Sequence, residues 1–214
     1  SGDVVRDTAG TDTIMLRAAS ISIVGVSVEN VIGDNAAQAF SITGNAAATR
    51  LTGGVLGDTI LAYQSADTIY GLDGNDRLDG GSDNDLIDGG NGADIIIGGT
   101  GDDSITAIEV SGTVDQQDSI VGGDGADTVL AGSGWVQEIF GGAGADSLRA
   151  GTGGSQTLSG DAGDDTLAGG QLLLAGDGAD SLVGSNVSFQ LMIAGAGDDT
   201  LAAGSADFLS MLGG

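Results

Sequence analysis

Aspartate recurs at one fixed place in this chain, and it is the residue whose type and spacing could do chemistry. From Gly71 the sequence reads GLDGNDRLD, GGSDNDLID, GGNGADIII and GGTGDDSIT, four consecutive nine-residue units. Each has glycine at or near positions 1, 2 and 4, aspartate at position 6 and an aliphatic residue at position 8. The unit returns as GGDGADTVL from Gly122, GGAGADSLR from Gly141, GDAGDDTLA from Gly160, AGDGADSLV from Ala175 and AGAGDDTLA from Ala194. Weaker copies, GGVLGDTIL and AYQSADTIY, begin at Gly53 and Ala62. The sixth-position carboxylates are Asp58, Asp67, Asp76, Asp85, Asp94, Asp103, Asp127, Asp146, Asp165, Asp180 and Asp199. Glycine tolerates positive φ, so such a segment turns tightly and aims its carbonyls inward. Carboxylates and carbonyls together are hard oxygen donors, of which calcium takes roughly six to eight.

Other chemistry is excluded by what is missing. The chain has no His and no Cys, which removes histidine-based triads, cysteine nucleophiles, disulfides and ordinary zinc sites. A net charge of −26 with five cations, all Arg, argues against nucleic-acid binding, because phosphate contacts need cations. No apolar run reaches the roughly 18 residues of a membrane span, and no charged–apolar stretch among these residues reads as a secretory leader. The acidity is almost all Asp (Glu occurs only at Glu29, Glu109 and Glu138) and it is periodic rather than scattered. That argues against both a disordered acidic tail and a halophilic surface. The opening at Ser1 and the stop at Gly214 in mid-pattern suggest a piece of a longer protein.

The elements that position the aspartates follow from the period. Leu78, Ile87, Ile96, Ile105, Ile120, Val129, Leu148, Leu167, Leu182 and Leu201 hold position 8 and are all aliphatic. They are expected to face inward and to stack coil on coil with strands about 4.8 Å apart. Positions 7 and 9 must then face outward, because side chains alternate along a strand.

The pattern resembles the calcium-binding nonapeptide repeat of RTX (repeats-in-toxin) proteins over roughly residues 44–207. The resemblance implies an all-β fold, a right-handed parallel β-roll or β-solenoid in which two nonapeptides make one coil. It places calcium between stacked Gly-Asp turns. Main-chain carbonyls of early turn positions, such as Gly81, Gly99, Gly101, Gly123, Gly125, Gly142 and Gly144, would complete the sites. Asp73, Asp83, Asp124 and Asp177 could add side-chain contacts. The resemblance implies that calcium acts as a folding switch: such a chain would pass a type I secretion channel unfolded and fold outside the cell, and the family's C-terminal secretion signal would lie beyond Gly214.

Because a coil takes two repeats, alternate turns share a side. One column carries Asp67, Asp85, Asp103, Asp127, Asp146, Asp165, Asp180 and Asp199, and its eight turns leave seven gaps. The other carries Asp58, Asp76, Asp94 and Asp118, then Gln137, Gln156, Gln171 and Gln190 at the position Asp holds elsewhere. Neutral amides both donate and accept, so stacked Gln residues are expected to form an ion-free ladder. The chain divides accordingly into ion-free capping coils (1–52), a roll with calcium turns on both sides (53–130) and a solenoid with calcium on one side and glutamine on the other (131–214). In the first part Thr13–Leu16, Ile21–Val24, Val26–Ile32 and Phe40–Thr43 read as strands, with Gly33-Asp34-Asn35 and Gly44-Asn45 as turns. About 8–10 Ca²⁺ are expected, nine of which would bring the net charge from −26 to near −8.

Outward positions late in the chain are apolar. Leu172, Leu174, Leu191 and Ile193, with Trp135 and Phe189 nearby, suggest a contact surface for self-association or for a flanking domain. The expected role is an extracellular, non-enzymatic structural module, with no nucleic-acid partner and no membrane insertion, in a secreted surface-layer or adhesin-like protein. The calcium-binding region of a secreted protease, lipase or epimerase, and a polysaccharide-binding solenoid, remain alternatives.

Overall fold

The computed structural model describes residues 11–17, 19–33, 38–108, 117–132, 136–151, 154–202, 204–205 and 208–213. Every regular element among them is a β-strand, and the strands form two parallel sheets. One sheet, here the first, holds every other strand from Thr13–Leu16 to Thr200–Ala202. The second interleaves with it from Ser20–Ser22 to Phe208–Leu212. The chain is therefore a β-solenoid that alternates between the sheets, each with eleven strands among the described residues.

Position 8 decides the fold. Leu78, Ile87, Ile96, Ile105, Ile120, Val129, Leu148, Leu167 and Leu182 are all buried, and Leu201 in the last coil packs against them partly covered. Strand register places them one above another: Leu78 pairs Ile96, Ile96 pairs Ile120, and Ile120 pairs Ile139. The inward columns of the two sheets run on into the N-terminal coils, through Leu51 and Val31 in the first sheet and Ile42 in the second, which lack the repeat letters but keep the inward aliphatic. Fully burying such a side chain contributes about 1.5–3 kcal/mol, and this is the core's whole substance. Ala62, Ala107, Ala131, Ala175 and Ala194 fill the narrower corners.

The N-terminal strands Ser20–Ser22, Asn30–Gly33 and Ser41–Thr43 are shorter than their apolar clusters suggested. Residues 34 and 35 of the expected turn, and Trp135, lie outside the described residues. Coil length varies at two places while the register holds. Equivalent aspartates are usually 18 or 19 residues apart, but Asp103 and Asp127 are separated by 24, and Asp165 and Asp180 by 15.

Candidate metal centre

Each sixth-position Asp closes a turn just before a strand of one sheet. Its backbone carbonyl accepts from the first residue of the strand one coil later, as Asp58 O does from the Arg77 N–H at 2.8 Å. Its side chain reaches the other way. Oδ1 accepts the backbone N–H of the equivalent residue one coil earlier: Asp67 N–H to Asp85 Oδ1 at 2.7 Å, then Asp85 to Asp103, Asp103 to Asp127 and Asp127 to Asp146, each at 2.8 Å. The series continues from Asp146 to Asp165 and from Asp165 to Asp180 at 2.8 Å, and ends from Asp180 to Asp199 at 3.0 Å. The other column repeats it from Asp58 to Asp76, Asp76 to Asp94 and Asp94 to Asp118. One carboxylate oxygen thus staples neighbouring coils.

The second oxygen is left over. Oδ2 of Asp67, Asp76, Asp85, Asp103, Asp127, Asp146, Asp165, Asp180 and Asp199 is buried and accepts no hydrogen bond. Buried polar atoms are normally satisfied, and a row of unsatisfied carboxylate oxygens calls for a cation. A methyl on Gly80 would strike both Asp85 Oδ2 and the carbonyl oxygen of Gly98 in the next coil. The same pairing of a carboxylate oxygen with the next coil's carbonyl recurs at Gly71, Gly98, Gly122 and Gly160. Oxygens from two stacked turns therefore stand side by side. Among the described residues no three His, Cys, Asp or Glu side chains cluster as a metal site, so the donor sets are carboxylate plus carbonyl. That composition fits a hard cation such as calcium.

Without an ion this arrangement is costly. Burial, outweighing the main-chain hydrogen bond, pushes the carboxyl groups of Asp67, Asp76, Asp85, Asp103 and Asp146 up to about 7, and that of Asp165 to about 6. Neighbouring carboxylates one coil away raise most of them further. Burial also raises Asp58, Asp118, Asp127 and Asp180.

The glycines at positions 2 and 4 shape the turn. Gly81, Gly99, Gly101, Gly123, Gly125, Gly142 and Gly144 all have φ between 107° and 136°, where a side chain is strained. Asp83 stands at position 4 with φ 75°, exposed, and its Oδ2 accepts the Ser65 N–H at 3.0 Å on the turn's rim. Asp73, also at the rim, accepts from Asn91 Nδ2. The main-chain carbonyls of Asp124 and Asp177 join the coil-to-coil ladder, accepting from Gly101 and Gly163.

Asp58 and Asp118 stand apart from the other carboxylates. Asp58 uses both oxygens within the chain, taking N–H groups from Phe40 and Gly54. Asp118 Oδ2 receives Gln137 Nε2 at 3.3 Å. Gln156 Nε2 in turn donates to Gln137 Oε1 at 3.1 Å, both side chains being buried. Gln190 Nε2 donates to Gly170 O at 3.0 Å, and its Oε1 takes the Ser185 N–H. Gln171 enters the ladder by its main chain, between Gln156 O and the Leu191 N–H, and its side chain is half-buried.

Three features lay beyond sequence reasoning. Phe40 and Thr49 occupy the position of the sixth-position Asp in the last N-terminal coil, since their N–H groups meet Asp58 and Asp67 as each Asp N–H meets the next. The Phe40 ring lies against Gly33 and Gly54, filling the column with carbon in place of a carboxylate. Position 5 carries a further ladder, in which Asn75, Asn84, Asp102 and Asp164 side chains accept the N–H one coil later. Finally, Tyr63, Ser65, Leu72 and Asp161 adopt positive φ where most turns have glycine. A search for residues departing from the glycine consensus at positions 2 and 4 would have flagged them.

The RTX calcium-binding nonapeptide repeat (4 copies) matches residues 52–87, 88–107, 115–135, 138–155, 150–171 and 191–207, more than half of the chain. The chain belongs to the RTX calcium-binding repeat family. It binds calcium, and the buried Asp series is where the family's chemistry fits it. No curated protein and no solved structure matches the chain. The RTX repeat is a structural calcium-binding module, not catalytic in itself, and implies a type I secreted protein. Among the described residues no helix is long and apolar enough to cross a membrane.

Proposed function

We propose that this RTX chain is a calcium-locked structural module of a surface-layer or adhesin-like protein, assembling through the outward face of its second sheet. Calcium is held along the column from Asp67 to Asp199, with early-turn carbonyls as partners. In the other column it is held only around Asp76 and Asp94, where the following turns switch to amides. About nine ions in all would lower the net charge from −26 to near −8. Folding and ion binding are then one event, since each site needs two stacked turns.

The observation that carries the assembly role is the outward face near the C-terminal end. Leu172 pairs Leu191 and Leu174 pairs Ile193, so four apolar side chains form a block between adjacent strands. Val121 and Phe140 lead into it, and Leu212, 53% exposed, extends it. On a chain this acidic, the uncharged block of Leu172, Leu174, Leu191 and Ile193 is where two copies can approach. Light scattering and electron microscopy during calcium addition test it. Ordered assemblies are expected for the wild type. Leu174→Glu with Ile193→Glu should stay monomeric while binding the same number of ions. A chain that stays monomeric at millimolar calcium, or a double variant that assembles normally, would overturn the assembly role.

A further inference from the structure

The recess lies beside the shortest turn. Gln171 follows Asp165 by six residues, whereas Gln156 follows Asp146 and Gln190 follows Asp180 by ten each. The short turn stays in the ladder: the Gly169 N–H donates to Val183 O at 3.3 Å and the Gln171 N–H to Gln156 O at 3.0 Å. This coil therefore cuts the corner between two fuller neighbours. A recess of about 430 Å³ remains, bounded by Ala150 and Gly151 before it and by Gly184 and Ser185 after it. That volume lies within the range of small-ligand sites, roughly 300–1,000 Å³.

Its chemistry differs from the rest of the surface. Arg149, one of five Arg in the chain, lines the recess with Ser147, Thr166 and Ser185. Arg149 is exposed, and it makes no ion pair with a described residue. Its neighbours across the strands are Leu130 and Ala168, so no carboxylate faces it from either side. Ser147 lies between Thr128 and Thr166, and this hydroxyl row continues past the recess along the sheet. In a chain of −26, a guanidinium without an acidic partner, set among hydroxyls, is a place where an outside carboxylate can bind.

We infer that the recess binds an acidic sugar residue within a glycan chain. The guanidinium takes the carboxylate in its planar fork, and Ser147, Thr166 and the glycine main chain meet ring hydroxyls. The hydroxyl row gives the flanking sugars a track. A peptide carboxylate is the poorer fit, because peptide recognition favours aromatic or aliphatic pockets, and of the two large apolar residues in the lining Leu148 is buried in the core and Val183 alone is exposed. The inference needs the solenoid folded but does not depend on its assembling.

The test is calorimetric titration of the calcium-loaded chain with galacturonate trimer, at free calcium matched on both sides of the cell. Saturable binding is expected, with the neutral galactose trimer and acetate each at least about tenfold weaker. Arg149→Ala should lose about tenfold or more, and the near-isosteric Thr166→Val about threefold, both with unchanged circular dichroism and calcium count. If Arg149→Ala does not fold, Thr166→Val alone decides. No saturable binding, equal binding by the variants, or acetate or oligoglutamate binding as well as the trimer would overturn the inference.

Discussion

Residues 53–130 and 131–214 share one core and one carboxylate column, and they differ in the other column. In the first half that column runs Asp58, Asp76, Asp94 and Asp118. In the second it becomes Gln137 and Gln156, with Gln190 bonded to main chain. The inward aliphatics do not register the change: Ile120, Ile139 and Leu158 stack across it without a break. The gap between turns is thus a separate problem from the core, and it has two solutions. A carboxylate pair leaves oxygens that need an ion, whereas an amide supplies its own donor. Asp118 is the seam, facing Asp94 through one oxygen and Gln137 through the other.

Calcium removal gives the largest expected effect and breaks the comparison most directly. Without ions both halves carry the shared column of buried, mutually repelling carboxylates, and the first half carries a second such column as well. Hydrogen exchange during stepwise chelation should show residues 68–107 losing protection at higher free calcium than residues 155–202. Full chelation at pH 7.5 should abolish the β-signal in circular dichroism. Simultaneous loss in both halves would show that the amide column confers no independence.

Single substitutions sharpen the same contrast. Asp146→Asn keeps the shape of the side chain but replaces the unsatisfied Oδ2 by a donor. It should cost at least one bound ion by native mass spectrometry and lower the melting temperature markedly. Gln156→Ala removes the bonds to Gln137 and Gly132. It should leave the ion count unchanged and cost about 1–2 kcal/mol. Equal ion loss in the two variants would mean that the columns are misassigned.

Acidification provides a third contrast. Asp67, Asp76, Asp85, Asp103 and Asp146 have folded-state values near 7, above the ordinary carboxylate value. Their contribution to the ion-free fold is full below about pH 4 and is lost as pH rises through about 7. In chelator, the β-signal should therefore grow as pH falls from 7.5 to 4.5. Calcium affinity should weaken over the same interval, because protons compete for the same oxygens. An ion-free chain equally unfolded at both pH values would show that charge burial is not the barrier.

The repeat made most of this legible. Nine-residue spacing specifies the inward aliphatic, the ligand position and the alternation of columns, because each depends on one residue type at one phase. Gln137 and Gln156 were legible for the same reason, as substitutions in register. Gln171 was not, because the ladder's geometry depends on turn length, and its turn is the shortest. Phe40 and Thr49 were hidden because a capping position is defined by what docks on it, here Asp58 and Asp67 through their Oδ1 atoms, and not by its own side chain. The rim ladder at position 5 was hidden because Asn, Asp and Ala alternate there with no fixed letter.

The smallest expected effect concerns the start of the two-column half. Tyr63, with φ 89°, and Leu72, with φ 82°, sit at position 2 of successive turns, where Gly81, Gly99 and Gly123 stand later. Bulky residues in this region cost on the order of 1–3 kcal/mol each, and glycine returns part of that as chain entropy. Both side chains are exposed, 52% and 44%, so little packing is lost on removing them. Tyr63→Gly and Leu72→Gly should each stabilise the calcium-loaded chain by about 1 kcal/mol in thermal melts, without changing ion number. Destabilisation instead would show that these side chains contribute contacts worth more than their strain. The earliest turns would then be held by surface packing, where the later ones are held by backbone freedom.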